Sequence, residues 1–350
     1  MQIRSIQVTT PAPRDVWREV LKADPDALVF QTPEWLDCVC DAGGYHDASH
    51  LYETPDGRQL IMPMVRRKRW PAALTTQASL PHSWGVGGII AKGPIHSTDI
   101  SAILSYLSAE PVMRTYIWPN PLAAETWNAA RLPGVISVPR LAHVLDLTDG
   151  WEQIWTKHFR GSTRRQVRKA EKSQLAVECD TTGKLVPVFY DLFRQSVDRW
   201  ADQQHEPRLL ARWRARLRDP LHKIQYIAHT LGDACCIWVA WLAGQPAAAI
   251  VVLKGANADY ILGAMDKELA ASTGANALLH RLAIEDACLS GCRYYHMGES
   301  GPSASLARFK SGFGAKAYPY AEYRLERMPI TSIDNQLRGL VKRLIGFKDA

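Results

Sequence analysis

One segment of the sequence concentrates residues that suit phosphate chemistry. Residues 157–172 hold seven Lys or Arg side chains and a single acid, Glu171. If this segment is helical, the basic residues at spacings i, i+1, i+4 and i+5 cover adjacent strips of one surface. Guanidinium forks match the geometry of phosphate oxygens. The segment predicts a phosphate-binding face or, alternatively, a solvated helix surface; the residues concerned are Arg164, Arg165, Arg168 and Lys169.

A second candidate is the start of a predicted helix at Gly274, Ala275 and Asn276. The N–H groups of a helical first turn lack intrahelical acceptors and attract anions. We therefore predict contact with the phosphates of a donor substrate. The alternative is an ordinary N-cap formed by Ser272 or Thr273.

Several side chains could move a proton or line a pocket. The candidates for a general base are Glu299, His296, Asp198 and His205. Glu299 follows a predicted strand that contains His296, whereas a lone histidine on a strand is more typical of a core position. Trp200, Tyr260 and His296 are candidates for an acceptor pocket, with core packing as the alternative.

The overall composition favours a partner that is anionic. The formal net charge is +7 and the isoelectric point is about 9.0, which suits RNA, a phosphorylated carrier, coenzyme A or an anionic membrane surface. The seven cysteines form no C-x-x-C pair, so we predict reduced thiols and no metal site. There is no apolar run of transmembrane length and no signal-like leader, so the expected compartment is the cytoplasm.

The elements that must position these residues occur in a repeated order: helices, a hairpin, then strand–helix–strand. This order fits residues 13–147 and again residues 151–326, which predicts two domains at 1–149 and 150–328 and a basic amphipathic tail helix at 329–350. In the second half, the predicted helices are 151–173, 184–201, 207–218, 275–290 and 303–310. The predicted strands there are 224–229, 234–242, 246–253, 258–265, 292–297 and 316–326.

Four segments of the second half, in this order and spacing, resemble the Fem-type branch of the GNAT acyltransferase superfamily. They are Arg164-Arg-Gln-Val-Arg-Lys-Ala170, Gly244-Gln-Pro-Ala-Ala-Ala249, Thr273-Gly-Ala-Asn-Ala-Leu-Leu279 and Leu306-Ala-Arg-Phe-Lys-Ser-Gly-Phe-Gly314. In the first half, Phe30-Gln-Thr-Pro-Glu-Trp-Leu36 is also similar to the family. The resemblance implies an α/β (α+β) fold of two tandem GNAT-like domains, each a mixed, mostly antiparallel sheet flanked by helices.

The resemblance also implies chemistry. Fem-type enzymes move an amino acid from aminoacyl-tRNA to an amine, and ordinary GNAT enzymes move an acetyl group from acetyl-CoA. Lys310 matches the family lysine beside the reacting ester, where an ammonium stabilises negative charge. Phe309 would orient the acceptor amine through its carbonyl oxygen, and Glu299 is the favoured base. The frame Ala271-Ser-Thr-Gly-Ala-Asn276 departs from the GNAT pyrophosphate loop, which argues against tight acetyl-CoA binding.

Three hypotheses follow. The first is an aminoacyl-tRNA-dependent N-transferase, and the second is an acyl-CoA-dependent N-acyltransferase acting on an amino sugar, polysaccharide precursor or small metabolite. The third is a non-catalytic RNA- or glycan-binding module. We expect charged tRNA or acyl-CoA as co-substrate, no bound cofactor, an amine on a small molecule, peptide or sugar as acceptor, and no DNA. For the tail helix, contact with anionic lipid or RNA competes with docking over a sheet edge.

Overall fold

The computed structural model describes residues 6–68, 74–130, 133–301, 303–332 and 336. The contacts within the chain divide it into two compact units. Residues up to 142 and residues 318–330 form the first unit, and residues 143–317 form the second. The sequence analysis assigned the whole final strand to the second domain, so its return to the first unit is a feature that the sequence pattern did not predict.

The described residues of the first unit form four helices and a set of mostly short strands. Its helices are α1 (Arg14–Ala23), α2 (Pro33–Gly43), α3 (Ser97–Ala109) and α4 (Ala124–Ala129), with 3-10 turns at Val29–Gln31 and Pro121–Ala123. Its strands are β1 (Gln7–Thr9), β2 (Tyr45–Asp47), β3 (His50–Glu53), β4 (Gln59–Met62), β5 (Val65–Arg67), β6 (Thr76–Ala78), β7 (Ile90–Ala91), β8 (Arg114–Ile117) and the first part of β9 (Ile136–Asp146), whose residues from His143 onward belong to the second unit.

Local signals explain the elements of this unit. Helix α2 begins at Pro33 after Thr32, whose side chain accepts a hydrogen bond from the Trp35 N–H, and it ends at Gly44 with φ of +73°. The strands of this unit lie in two sheets. One sheet has the order β1-β3-β4-β7. In the other, the final strand of the chain, β15 (Lys316–Glu326), comes first and the order is β15-β8-β6-β5-β2. Tyr323 of β15 pairs with Ile117 of β8 and belongs to the buried core of this unit.

The second unit contains helices and five strands that are neighbours in one sheet. Its helices are α5 (Trp151–Gln153), α6 (Gly161–Lys172), α7 (Val186–Gln204), α8 (Arg208–Arg218), α9 (Leu221–Leu231), α10 (Lys267–Thr273), α11 (Ala275–Leu289) and α12 (Ala304–Gly312). Its strands are β10 (Ala176–Asp180), β11 (Cys235–Leu242), β12 (Gln245–Lys254), β13 (Ala258–Met265) and β14 (Tyr294–Glu299). The sheet order is β10-β11-β12-β13-β14, and the predicted α/β class is confirmed.

The hairpin of β11 and β12 sets the register of this sheet. Ala243 and Gly244 connect the strands, and both have positive φ, +47° and +79°. Two such residues match the twist of antiparallel strands in a two-residue hairpin. Helix α11 packs on β12, and α6 packs against α11; both helices bury apolar residues such as Val167 and Leu279 in one core.

Two predicted elements were wrong. Residues 224–229 are not a strand but part of α9, because Ile224, Ile227 and Ala228 bury one helical face at spacings i, i+3 and i+4. The predicted helix 151–173 is interrupted by a π-helical turn at Ile154–His158 and a break before Gly161. Of the predicted tail helix, residues 333–335 and 337–350 lie outside the described part of the chain.

Candidate active site

The candidate active site lies where two parallel strands separate. β13 and β14 pair only at their beginnings, Ala258 with Tyr295 and Asp259 with His296. β13 then continues to Met265 while β14 ends at Glu299. A bulge in β13 opposite Val251 and Val252 accompanies the separation. The divergence opens a gap at the carboxyl ends of these strands, which is where a ligand can reach the sheet.

Lys310, from α12, projects to the end of β14. Its Nζ donates a hydrogen bond to the carbonyl oxygen of Glu299 over 2.6 Å, and the residue is only 2% exposed. A Cβ at Gly298 would lie 4.0 Å from this nitrogen and 3.8 Å from the carbonyl oxygen of Tyr260. The lysine therefore sits beside both diverging strands.

The pKa of Lys310 is lowered to about 8, because burial penalises the ammonium, and the nearby carboxylate of Glu299 only partly opposes this effect. The side chain is therefore still mostly charged at neutral pH. In a site shielded from water, such a charge interacts strongly with developing negative charge.

Two histidines missed by the sequence analysis flank Lys310. His280 of α11 is fully buried, and the pKa of its imidazole falls to about 3 through burial and then the charge of Lys310. The pKa of His143, at the end of β9, is lowered by the same two causes. Both rings are therefore neutral, and within the described residues neither His280 nitrogen has a hydrogen-bond partner. Lys310 is consequently the cation of this cluster.

Aromatic side chains line one side of the site next to Lys310. The ring of Tyr260 meets His280 edge-on at 4.6 Å, and His280 contacts Phe309 at 5.3 Å. The hydroxyl of Tyr260 lies over Gly263, where a Cβ would collide with it. Burial raises the pKa of Tyr260 to about 12, so the phenol stays protonated. The structure thus brings the predicted residues Tyr260, Phe309 and Lys310 together.

Close packing explains the two glycines that follow Lys310 in the segment Leu306–Gly314. A Cβ at Gly312 would lie 2.5 Å from Thr163 Oγ1, and one at Gly314 would lie 2.7 Å from His158 Cβ. The Arg160 N–H donates to the Gly312 carbonyl over 2.8 Å. Only glycine allows this close backbone approach. The motif therefore fixes the end of α12 against the start of α6 and so sets the position of Lys310.

Other predicted pocket residues lie apart from this cluster. His296 is buried on β14, and burial lowers its pKa to about 3, so it is a neutral side chain at neutral pH. Trp200, on α7, is 36% exposed and packs against Phe193. In the described part of the chain no contact joins Trp200 or His296 to Lys310.

Two of the candidate bases have other roles. Both carboxylate oxygens of Asp198 accept hydrogen bonds from Arg212 at 2.6 Å, which lowers the pKa of Asp198 and occupies its lone pairs. His205 ends α7 in the left-handed conformation at φ of +55°. Glu299 lies beside Lys310, and its carboxylate acts on the charge of that lysine.

The basic side chains of helix α6 have different roles. Arg164 donates to the carbonyl oxygens of Trp155 and Thr156, which lie within the π-helical turn, so it caps carbonyl groups of that turn. Arg165 and Arg168 are exposed, and Lys169 reaches the carbonyl oxygen of Ala271 at 3.3 Å. The exposed basic face of α6, defined by Arg165, Arg168 and Lys169, therefore lies next to the segment that leads into α11.

The start of α11 leaves few N–H groups for an anion. The N–H of Ala275 donates to Thr273 Oγ1 over 3.3 Å, and those of Ala277 and Leu278 donate to the Gly274 carbonyl over 3.0 and 3.2 Å. The N–H of Gly274 donates to Ala270. Within the described residues, that of Asn276 has no acceptor. A compact pyrophosphate therefore fits this turn poorly. The N-cap residue is Gly274, and the alternative prediction of an N-cap by Ser272 or Thr273 was wrong, although Thr273 accepts from the Ala275 N–H.

Gly274 is required by packing against α6. It has φ of +85°, and a Cβ there would lie 2.7 Å from the carbonyl oxygen of Gln166. We expect Gly274→Ala to lower the free energy of unfolding by about 2–4 kcal/mol, since left-handed strain and a backbone clash add. Gly291→Ala is the matched control because φ there is +78° and no atom lies within 4 Å.

For Gly291→Ala we expect a cost of about 1 kcal/mol from the backbone conformation alone. Denaturant unfolding of both variants measures the difference. Equal losses for the two variants would contradict the close approach of α6 and α11.

The described residues contain no group of three or more His, Cys, Asp or Glu side chains that could hold a metal ion. They also include no helix that is both long and apolar enough to cross a membrane. Burial raises the pKa of Cys292 to about 11 and that of Cys40 to about 12, so neither thiol is activated as a nucleophile.

Comparison with known proteins agrees with this geometry. Residues 157–311 match the family described as the acetyltransferase (GNAT) domain. FemX has a similar structure, with a TM-score of 0.66 and 11% sequence identity over 93% of this chain and 99% of that chain. L-PGS from Bacillus licheniformis has a TM-score of 0.52 and 14% identity over 97% of this chain and 98% of that chain.

A third similar structure is the C-terminal domain of a putative lysylphosphatidylglycerol synthetase from Agrobacterium fabrum. Its TM-score is 0.51 at 12% identity, with 94% of this chain and 97% of that chain covered. At these identities the likeness concerns the fold. No curated protein matches the sequence significantly.

The fold and the domain match define the class. Residues 157–311 form a GNAT domain, and the protein is an acyltransferase. The predicted resemblance to the Fem-type branch is confirmed at the level of the fold by the likeness to FemX.

Proposed function

We propose that this chain moves an aminoacyl group from aminoacyl-tRNA to an amine. The observation that carries the proposal is the exposed basic face of α6 beside the start of α11, where most N–H groups already have acceptors. A row of exposed cations suits an extended phosphate backbone better than one compact pyrophosphate. The predicted phosphate contacts at Arg165, Arg168 and Lys169 remain part of this proposal.

The chemistry requires little more than positioning and charge stabilisation. An aminoacyl ester is already activated, so the amine nitrogen can attack its carbonyl carbon directly. Negative charge then develops on the carbonyl oxygen, and the ammonium of Lys310 stabilises it. An ammonium has three N–H donors, one of which is held by Glu299, so two remain for the oxyanion.

Proton balance involves the residues next to Lys310. The amine must attack as a neutral group and then lose a proton as the C–N bond forms; the carboxylate of Glu299 is our candidate acceptor. The ester C–O bond breaks, and the departing tRNA hydroxyl takes up a proton. The carbonyl oxygen of Phe309 would orient the incoming amine, as the Fem-type resemblance implies.

Two structural neighbours are consistent with aminoacyl transfer. The Agrobacterium fabrum protein is described as a putative lysylphosphatidylglycerol synthetase, and the similarity to FemX covers 93% of this chain. These names describe the neighbours. They support the proposal for this chain only through the shared fold and the charge distribution described above.

Acyl-CoA is the second candidate donor. It is favoured by the match of residues 157–311 to an acetyltransferase domain, since such domains in general use an acyl-CoA. The acceptor in that case would also be an amine, on an amino sugar, a polysaccharide precursor or a small metabolite.

Equilibrium binding distinguishes the donors. The full-length protein is mixed separately with a total pool of charged tRNA, with the same pool after deacylation, and with acetyl-CoA. We expect tighter retention of charged than of deacylated tRNA, and loss of this preference in Lys310→Met, because the lysine lies where the ester would bind. Micromolar binding of acetyl-CoA without any preference for charged tRNA would instead assign the acyl-CoA reaction.

A further inference from the structure

Helix α8 exposes its large apolar side chains and buries small ones, the reverse of an ordinary surface helix. Its buried residues are two alanines, Ala211 and Ala215. Its large apolar side chains face solvent instead: Leu209 is 78% exposed, Trp213 is 61% exposed and Leu217 is 65% exposed. A solvated helix normally buries its leucines and exposes its alanines and charges. The inversion indicates that something other than water covers this face.

The exposed residues form one continuous stripe. Leu209, Trp213 and Leu217 occupy successive turns at spacing i+4, and at about 100° per residue they lie on the side opposite Ala211 and Ala215. Leu210 widens the stripe and is 36% exposed. A contiguous apolar stripe marks an interaction site, whereas single exposed leucines do not.

The charged side chains of α8 are all arginines, and three of them border the stripe. The helix contains five arginines and no acid. By the same geometry, Arg212 and Arg216 border one side of the stripe and Arg214 borders the other. Arg212 and Arg214 form ion pairs with Asp198 and Glu206, yet their side chains stay 47% and 54% exposed. These pairs hold the guanidinium groups beside the stripe at the level of its apolar side chains.

The flanking arginines identify the covering surface. A leucine and tryptophan stripe between arginines is the pattern of a helix that lies in a membrane interface, with apolar side chains among acyl chains and guanidinium groups among phosphates. Arg216 is exposed and has no ion-pair partner in the described part of the chain. Its charge is thus available to an anionic headgroup.

We propose that α8 is a membrane-contact helix that docks the protein on an anionic phospholipid bilayer through Leu209, Trp213 and Leu217. This contact goes beyond the transfer reaction and does not depend on which donor is used. It places the bilayer at the second unit, which contains the candidate active site.

Vesicle flotation tests the proposal with the full-length protein. The vesicles are phosphatidylcholine containing about one third phosphatidylglycerol, compared with phosphatidylcholine alone. We expect co-flotation with the anionic vesicles, and about a tenfold lower partition for Trp213→Ser/Leu217→Ser, since each removed side chain loses interfacial apolar contact. Leu289→Ser/Met328→Ser is the matched control, because those residues are 79% and 58% exposed but lie on other elements.

All four substituted side chains are exposed, so the variants should fold, and circular dichroism melting checks this. Equal partition of the two double variants would overturn the proposal. Equal flotation of the wild type with anionic vesicles and with phosphatidylcholine alone would overturn it as well. If the wild type does not float but forms dimers that Trp213→Ser/Leu217→Ser abolishes, the stripe is a protein interface and the membrane proposal fails.

Discussion

Lys310→Met is expected to lower the rate of aminoacyl transfer by roughly 10²–10³-fold, the usual cost of losing one oxyanion donor. The loss should appear in kcat more than in KM, because the ammonium is needed as negative charge develops. The measurement is transfer of radiolabelled aminoacyl groups to amines in an extract of the source cells, with the matching KM for charged tRNA. Lys316→Met, at an exposed position on β15, is the control and should retain full activity.

The pH profile separates an electrostatic role from a structural one. Because the pKa of Lys310 is lowered to about 8, the ammonium form is lost above that pH. The wild-type rate should therefore fall as pH rises through 8, after correction for spontaneous ester hydrolysis and for the growing fraction of neutral acceptor amine. Lys310→Arg should move this fall to much higher pH. A wild-type rate that stays level up to pH 10 would contradict the role of the ammonium.

Protein stability should change little or improve in Lys310→Met. The folded state disfavours the charged form of Lys310, so the charge destabilises the fold below its folded pKa and ceases to do so as pH rises towards the unfolded value. Replacing a buried charge by an apolar side chain of similar length removes this penalty. A lower melting temperature in the variant would indicate that the loss of activity results from misfolding.

The second large effect concerns the exposed basic face of α6. We expect Arg165→Ala/Arg168→Ala/Lys169→Ala to weaken binding of charged tRNA by on the order of 10²-fold near physiological salt, because three phosphate contacts and their counterion release are lost. The slope of log Kd against log salt should fall by about 2–3. Filter binding across a salt series measures both quantities.

The matched control for this variant removes the same charge elsewhere. Lys184→Ala/Arg194→Ala/Lys267→Ala also deletes three exposed cations, at positions outside α6. It should retain most of the affinity for tRNA. Equal weakening by the two triple variants would show that net charge, and not the face of α6, determines binding. Arg164→Ala should mainly destabilise the fold, since Arg164 caps the π-helical turn.

The sequence predicted the strongly periodic elements of the second unit. Helix α7 and the hairpin of β11 and β12 could be predicted because a long apolar repeat and a glycine turn are local signals. Helix α9 was missed because Ile224 and Tyr226 alternate like a strand over a few residues. Its buried positions follow helical spacing only when Ile227 and Ala228 are included.

The site was predicted in part for a similar reason. Lys310 and Phe309 belong to a contiguous motif, so a linear pattern could indicate them. His280 lies in an apolar helix, where a lone histidine is typical of a core, and only the folded chain brings it and His143 beside Lys310. Likewise, Arg164 and Arg165 are adjacent and chemically alike. The π-helical turn, which no sequence signal indicated, assigns one to capping and leaves the other exposed.

The position of β15 has a consequence for synthesis of the chain. Tyr323 in β15 pairs with Ile117 in β8, and Ala321 and Leu325 complete the same core. The ribosome adds about 5–20 residues per second, so β8 waits about 10–40 s for its partner strand. During that time the nascent first unit has an open sheet edge, which is a site for aggregation or chaperone binding. A message truncated before residue 318 would release a polypeptide in which β8 still pairs with β6 but its other edge has no partner strand.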